Sequence, residues 1–352
     1  VQVVFVGKAA SAQRIRLGAQ LGSNLRGVCY ILDEPTIGLH PRDGVRLLDM
    51  LRRLRDRGNS VLVVEHDEDT IRAADHVIDM GPGPGRHGGE VVAQGTFDEV
   101  LASERSATGA YFRRAHSHGG ARDALADAQV DLARAIEVHG ASLHNLKGVS
   151  ARFPLGAVTV VTGVSGAGKS TLVRGVLEES VRRRLRGLRS LAGCRGLEGA
   201  DRVEAVREVD QLPIGRTPRS TPATYVGLWS RIRAIFASSP EAKARGYDAR
   251  RFSFNAPGGR CDACGGQGRI RMEMSFLPDV SVDCEACRGS RFSRETLEIA
   301  YHGKSIGDVL ALTVEEALEL FSAYPDLSRQ LQALEALGLG YLTLGQASTT
   351  LS

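Results

Sequence analysis

The segment Gly163-Val164-Ser165-Gly166-Ala167-Gly168-Lys169-Ser170 fits the pattern G-x-x-x-x-G-K-[ST] without a mismatch. It restricts the fold more than any other stretch of the chain. The apolar run Gly156–Gly163 leads into it and reads as a strand, and a helix is expected over 169–184. In such a strand–loop–helix unit the glycines let main-chain N–H groups converge on phosphate oxygens. The helix that follows adds the positive end of its dipole. Lys169 is suited to reach the β- and γ-phosphates of ATP, and Ser170 to ligate Mg²⁺, with Thr171 completing the expected nucleotide cradle.

The remaining pattern suits a layered α/β sheet. Gly27–Leu32 and Ser60–Val64 are continuous apolar runs, as in buried parallel strands, and His76–Met80 reads as a third strand. Helices are expected over about 13–26, 41–57 and 67–74, alternating with those strands. Gly81–Gly85 is a turn cluster, Glu90–Gly95 a closing strand, and 115–134 a linker or loose helix. A second unit begins near Ile136, and further helices are expected over 314–323 and 326–337. Cys29, within an apolar strand, is expected to be a core residue.

Two strand ends carry polar groups suited to chemistry. Leu32-Asp33-Glu34-Pro35 closes an apolar strand with two carboxylates. Asp33 is suited to hold the Mg²⁺ shell, and Glu34 to orient or deprotonate an attacking water. The strand Ser60–Val64 ends in Glu65-His66-Asp67, where His66 can face the γ-phosphate side.

Four of the six cysteines form two pairs, Cys261-Asp262-Ala263-Cys264 and Cys284-Glu285-Ala286-Cys287, with 19 residues between them. This C-x2-C-x19-C-x2-C spacing lies in the zinc-ribbon range. Glycines at 265, 266, 268 and 289 permit tight turns. Four thiolates would close a tetrahedron around Zn²⁺ and leave no open position, which makes the site structural. No secretion signal is visible, so a reducing cytosol is expected, where such pairs read as metal ligands and not as a disulfide. No apolar run approaches a membrane span. With 42% hydrophobic and 24% charged residues, the chain reads as globular, and its net charge of +4 alone does not point to nucleic acid. Arginines do crowd locally, at 182, 183, 184, 186, 189 and 195 and again at 216, 219, 231 and 233. These are solvated faces or a phosphate-binding surface.

Asp33-Glu34-Pro35 with His66 resembles the Walker B, D-loop and H-loop set of ABC ATPases. Gln13-Arg14-Ile15-Arg16-Leu17 resembles the helix that follows their signature. More narrowly, Leu32–His40 and Val209-Asp210-Gln211-Leu212-Pro213-Ile214-Gly215-Arg216-Thr217-Pro218-Arg219-Ser220 resemble the UvrA family, the damage-recognition ATPases of bacterial nucleotide excision repair. Arg251–Asn255 and Met274–Val280 are similar to that family as well, over about 7–352 in all.

This resemblance implies an α/β fold of two partial ABC-type P-loop NTPase cassettes, with a helical signature-type subdomain that carries a zinc insert. The end of a first cassette is expected over 1–114, a linker over 115–135 and the start of a second cassette over 136–212. The signature-type subdomain spans 213–352, with its zinc module at 251–292. Gln211 is implied as the Q-loop glutamine, and Arg216 and Arg219 are candidates for DNA contact. Lys169 and Glu34 fall in different ATP sites. The implied partners are damaged double-stranded DNA, UvrB- and UvrC-type proteins and a second copy in a homodimer, with no membrane. Gly7-Lys8-Ala9-Ala10-Ser11 stands where the signature Leu-Ser-Gly-Gly-Glu is expected. A shifted reading frame over residues 1–11 is one hypothesis for that departure. The missing initiator Met reads as a fragment, and the fragment alone is expected to turn over ATP poorly.

Other readings are a UvrA-like paralogue in antibiotic self-resistance, a transporter-type ATPase, and a zinc-dependent chaperone module. A transporter ATPase would have no zinc insert. Cys261–Gly268 does resemble the cysteine-rich repeat of DnaJ-type chaperones, but that reading has no use for Lys169 or Gln211.

Overall fold

A computed structural model describes residues 2–6, 18, 25–117, 131, 133–210, 212–215, 217–272 and 280–351. The chain divides into two units, each described on its own. The first comprises Val1–Pro82 and Glu90–Val209, the second Gly83–Gly89 and Asp210–Ser352.

In the first unit, β1 (Gln2–Val6), β2 (Val28–Asp33) and β3 (Ser60–Val64) form a parallel sheet in that order. Helix α1 (Pro41–Asp56) starts where His40 caps it and Pro41 presets the first turn. Its Leu47, Leu51 and Leu54 lie at i, i+4 and i+7 and pack on Val28, Tyr30 and Leu32. Parallel strands of this apolar character are ordinarily covered on both faces. Here α1 covers one face, while Leu62 and Val64 are half exposed. β3, expected to be buried, is only partly buried at Val61 and Val63 and exposed at Leu62 and Val64, and Cys29 on β2 is partly exposed.

Beyond α2 (Glu68–Arg72), capped by Asp67, β4 (Val77–Gly81) pairs with β5 (Glu90–Gly95) as a separate antiparallel hairpin. Helix α3 (Phe97–Ala102) opens with a Thr96/Glu99 capping box, and α4 (Ala107–Ser117) follows. The expected helix over 13–26 and the expected linker fall largely outside the described residues.

The second half of this unit is an antiparallel sheet in the order β7-β6-β8, from β6 (Ala135–Ala141), β7 (Val149–Pro154) and β8 (Gly196–Glu198). The helix after the glycine loop packs on it through Val176 and Val181. That helix is wound as a π helix over Thr171–Glu178 and continues as α5 (Glu179–Leu185). The expected strand over 156–163 does not form. No described strand lies beside it to satisfy its backbone groups, and Val158 and Val160 are 95% and 79% exposed.

The second unit is mainly helical: α6 (Pro222–Tyr225), α7 (Leu228–Ser238), α8 (Pro240–Ala244), α9 (Arg294–Leu297), α10 (Ile306–Ala311), α11 (Val314–Leu320) and α12 (Pro325–Ala336). Ser305 and Thr313 fix the starts of α10 and α11 through capping boxes. Trp229, Phe236, Phe252, Phe254, Phe292 and Phe321 form the centre of its core. The Trp229 ring lies 5.4 Å from Phe254 and 6.3 Å from Phe292. An antiparallel hairpin of β9 (Arg269–Met272) and β10 (Val280–Asp283) projects from the four-cysteine cluster. No helix among the described residues is long and apolar enough to cross a membrane.

Because Phe236 is fully buried in this core, Phe236→Ala is expected to cost about 3–5 kcal/mol. Leu337→Ala, at a side chain 74% exposed, should cost less than about 0.5 kcal/mol. Chemical denaturation followed by tryptophan fluorescence, with Trp229 as the probe, distinguishes the two.

Candidate nucleotide and metal sites

The glycine-rich loop is shaped by its own backbone. Gly163 has φ +146°, Gly166 φ +81° and Gly168 φ +97°. A Cβ on Gly168 would come within 2.9 Å of Leu146 Cδ2 and 3.0 Å of Asn145 Oδ1, so both conformation and space call for glycine there. Asn145 Nδ2 donates to the Gly166 carbonyl at 2.9 Å and pins the loop from the β6–β7 connection. Lys169 Nζ donates to the carbonyls of Gly163 at 2.6 Å and Val164 at 2.9 Å. The ammonium therefore sits against the loop, at the start of the helix. The Ser165 amide donates to Asp43 Oδ2 at 3.3 Å, showing that one loop N–H already faces an anion. Val164–Ala167 and Ser170 are exposed.

At the end of β2, Asp33 remains in the strand, paired in register with Val64. Glu34 leaves it with φ +46°, a left-handed conformation uncommon for a side chain of this size. Its carboxylate lies 3.8 Å from His66 Nε2; the Glu34 side chain is 27% exposed and that of His66 is 83% exposed. The structure thus brings Glu34 and His66 together across β2 and β3. Glu65 accepts the Thr36 amide at 2.7 Å and the His66 amide at 3.0 Å. Sequence reading named neither Glu65 nor Asn145 nor Asp43 as functional. For Glu65 a signal was present, a carboxylate directly before the histidine; for Asn145 and Asp43 only the folded contacts identify them. Gln211, Arg216 and the signature-like residues 7–12 lie outside the described residues.

The four cysteines converge. Cys261 and Cys284 Sγ are 4.0 Å apart, Cys264 and Cys287 Sγ 3.7 Å, and all four sulfurs lie within 4.8 Å of one another, buried. A tetrahedron of about 2.3 Å Zn–S bonds has edges of about 3.8 Å, so the donor set fits a tetrathiolate ion. Each knuckle is a turn closed by main-chain bonds, Gly266 N to Cys261 O at 3.1 Å and Arg288 N to Cys284 O at 2.6 Å. A Cβ on Gly266 would lie 1.9 Å from the Phe254 carbonyl oxygen. The Gly268 amide donates to Cys264 Sγ at 3.2 Å. Burial pushes the Cys287 thiol up to about 12 and raises that of Cys261, whereas the Cys287 main-chain N–H lowers that of Cys284.

Arg291, 7% exposed, stacks its guanidinium over Phe254 at 5.1 Å and donates to the carbonyls of Pro218 at 3.0 Å and Gly345 at 2.9 Å. The partly buried Arg219 donates to the Gly265 carbonyl at 2.9 Å. These two arginines fasten the knuckles to the segment around residue 218.

No family model matches. The UvrABC system protein A of Thermus thermophilus is 54% identical over 343 residues, covering 97% of this chain and 36% of that protein. Its counterpart from Bacillus subtilis is 54% identical over 342 residues, covering 97% of the chain and 35% of that protein. The crystal structure of UvrA2 from Deinococcus radiodurans is similar with a TM-score of 0.86 at 45% identity, covering 98% of this chain and 41% of that one. The chain spans about a third of the length of the curated relatives it matches.

Cys261→Ser should remove one of four ligands and, with it, most of the bound metal. Metal analysis of the purified protein is expected to find near one zinc per chain before the substitution and well below that after it. The variant should also unfold at lower denaturant, since the ion's binding free energy contributes to folding.

Proposed function

We propose, from its similarity to UvrABC system protein A over 97% of the chain, that it is part of an ATP-driven DNA-damage recognition subunit of nucleotide excision repair. The observation that carries this reading is one unbroken similarity that spans both the phosphate loop and the four-cysteine module. Neither a transporter ATPase nor a chaperone module accounts for both. We propose further that the chain holds the end of one ABC cassette, the start of a second, and a signature-type subdomain with a zinc insert.

In this reading the N–H groups of Gly163–Thr171 bind the phosphates of ATP in the second cassette, with Lys169 as counter-charge. The Lys169 ammonium exchanges the Gly163 and Val164 carbonyls for phosphate oxygens, a stronger, charge-assisted pairing. In the first cassette's site Glu34 accepts a proton from the attacking water, and His66, 3.8 Å away, orients that carboxylate and faces the transferred phosphoryl group. Ser170 in one site and Asp33 in the other would hold Mg²⁺, which neutralises charge on the phosphates. Gln211 belongs to the second site.

Cys261, Cys264, Cys284 and Cys287 would hold Zn²⁺, which supplies a rigid cross-link to a lobe with little core of its own. The Gly265 carbonyl at its edge anchors Arg219. We assign Arg216 and Arg219 to contact with the DNA backbone. Recognition is of duplex shape and deformability, because lesions share no common base edge. The proposed assembly is a homodimer that loads a UvrB-type partner.

Binding of the full-length protein to a lesion-bearing duplex and to the same duplex undamaged, over a series of salt concentrations, tests this function. Tighter binding to the lesion at every salt is expected, with affinity falling as salt rises. Equal affinity for the two duplexes would overturn it.

A further inference from the structure

Glu65 directly precedes His66, and its half-buried side chain reaches the turn that carries Glu34. Oxygen Oε1 accepts the Thr36 amide at 2.7 Å, two residues beyond Glu34. Oxygen Oε2 accepts the amides of His66 at 3.0 Å and Asp67 at 3.4 Å. One carboxylate therefore receives three main-chain N–H groups from two loops, a charge-assisted nest that neither loop could form alone.

The two loops need such a clamp. Glu34 leaves β2 in a left-handed conformation, with φ +46°, that a glutamate populates only where its surroundings enforce it. Its own amide is held by the Val64 carbonyl at 2.9 Å, and its carbonyl accepts the Ile37 amide at 3.2 Å. The Thr36 amide lies between those two anchors, and Glu65 is its partner. On the other side Asp67 is already committed, because its carboxylate caps α2 through the Thr70 amide at 3.0 Å and the Thr70 hydroxyl at 2.8 Å. Fixing the amides of His66 and Asp67 to Glu65 thus sets the direction in which the exposed His66 ring leaves the strand.

We propose that Glu65 is a positioning residue for ATP hydrolysis, joining the Glu34 turn to the His66 turn so that the two side chains meet. This rests on the roles proposed for Glu34 and His66. It predicts a change in turnover with little change in nucleotide affinity, since both Glu65 carboxylate oxygens are engaged by main-chain amides.

The test uses the full-length protein in a Lys169→Ala background, which leaves the site containing Glu34 as the source of turnover. Glu65→Ala is expected to lower kcat by about ten- to a hundredfold, the range set by misplacing a reacting group by about an ångström, with KM changed less than about twofold. Glu65→Gln keeps one acceptor oxygen for Thr36 and should fall between the two. Amide hydrogen exchange at Thr36 and His66 should quicken in Glu65→Ala and stay slow at Thr36 in Glu65→Gln. Unchanged kcat in Glu65→Ala, where Glu34→Gln abolishes turnover, would overturn the proposal. If Glu34→Gln leaves turnover intact, the role assigned to Glu34 fails instead. The exchange measurement then decides the clamp, and unchanged protection in Glu65→Ala rejects it.

Discussion

A phosphate-binding loop must aim main-chain N–H groups outward at a place where ordinary residues would turn them elsewhere. The nucleotide site proposed for the second cassette depends on that constraint being met between Gly163 and Ser170. The loop is shaped there by three glycines of positive φ and by Asn145, which holds the Gly166 carbonyl from the adjoining turn. Lys169 then lies against carbonyls of the same loop, its charge held near the helix start instead of extended into water. The Ser165 amide, paired with the Asp43 carboxylate, shows one loop N–H already facing an anion.

A second constraint governs the other unit. The β9–β10 hairpin and its two knuckles have few apolar side chains of their own, and Ile270, Met272 and Val282 are exposed. What is buried there is sulfur, four atoms spaced as a tetrathiolate requires. The buried Arg291 brings a positive charge beside Cys264 and Cys287 while its two outer nitrogens reach the carbonyls of Pro218 and Gly345. Burial lowers the pKa of that guanidinium, and the nearby Cys264 and Cys287 work in the opposite direction. The module is thereby attached to the helical core by directed polar contacts as well as by Phe254 and Phe292.

Motifs that depend on short-range geometry were legible in the sequence. The cysteine spacing announced a convergent cluster, because a tetrahedral four-sulfur set needs two such pairs, and the apolar periodicity of residues 41–57 announced α1. Glu34 and His66 were legible as a pair because each ends an apolar strand, and adjacent strand ends lie together in a parallel sheet. The run before the glycine loop misled, since Val158 and Val160 have strand character but no described neighbour to pair with. Contacts such as Asn145 to Gly166, Glu65 to Thr36 and Arg291 to Gly345 join residues far apart in the chain. Nothing in local pattern specifies them.

Gly163–Ser170 is proposed to cradle a nucleotide in a chain whose Glu34 serves a different site. Counting nucleotides bound per chain of the full-length protein tests it directly, by equilibrium dialysis with labelled ATP under conditions that prevent turnover. Lys169→Ala should remove one bound nucleotide per chain, whereas Glu34→Gln should leave the count unchanged. An unaltered count in Lys169→Ala would contradict the account.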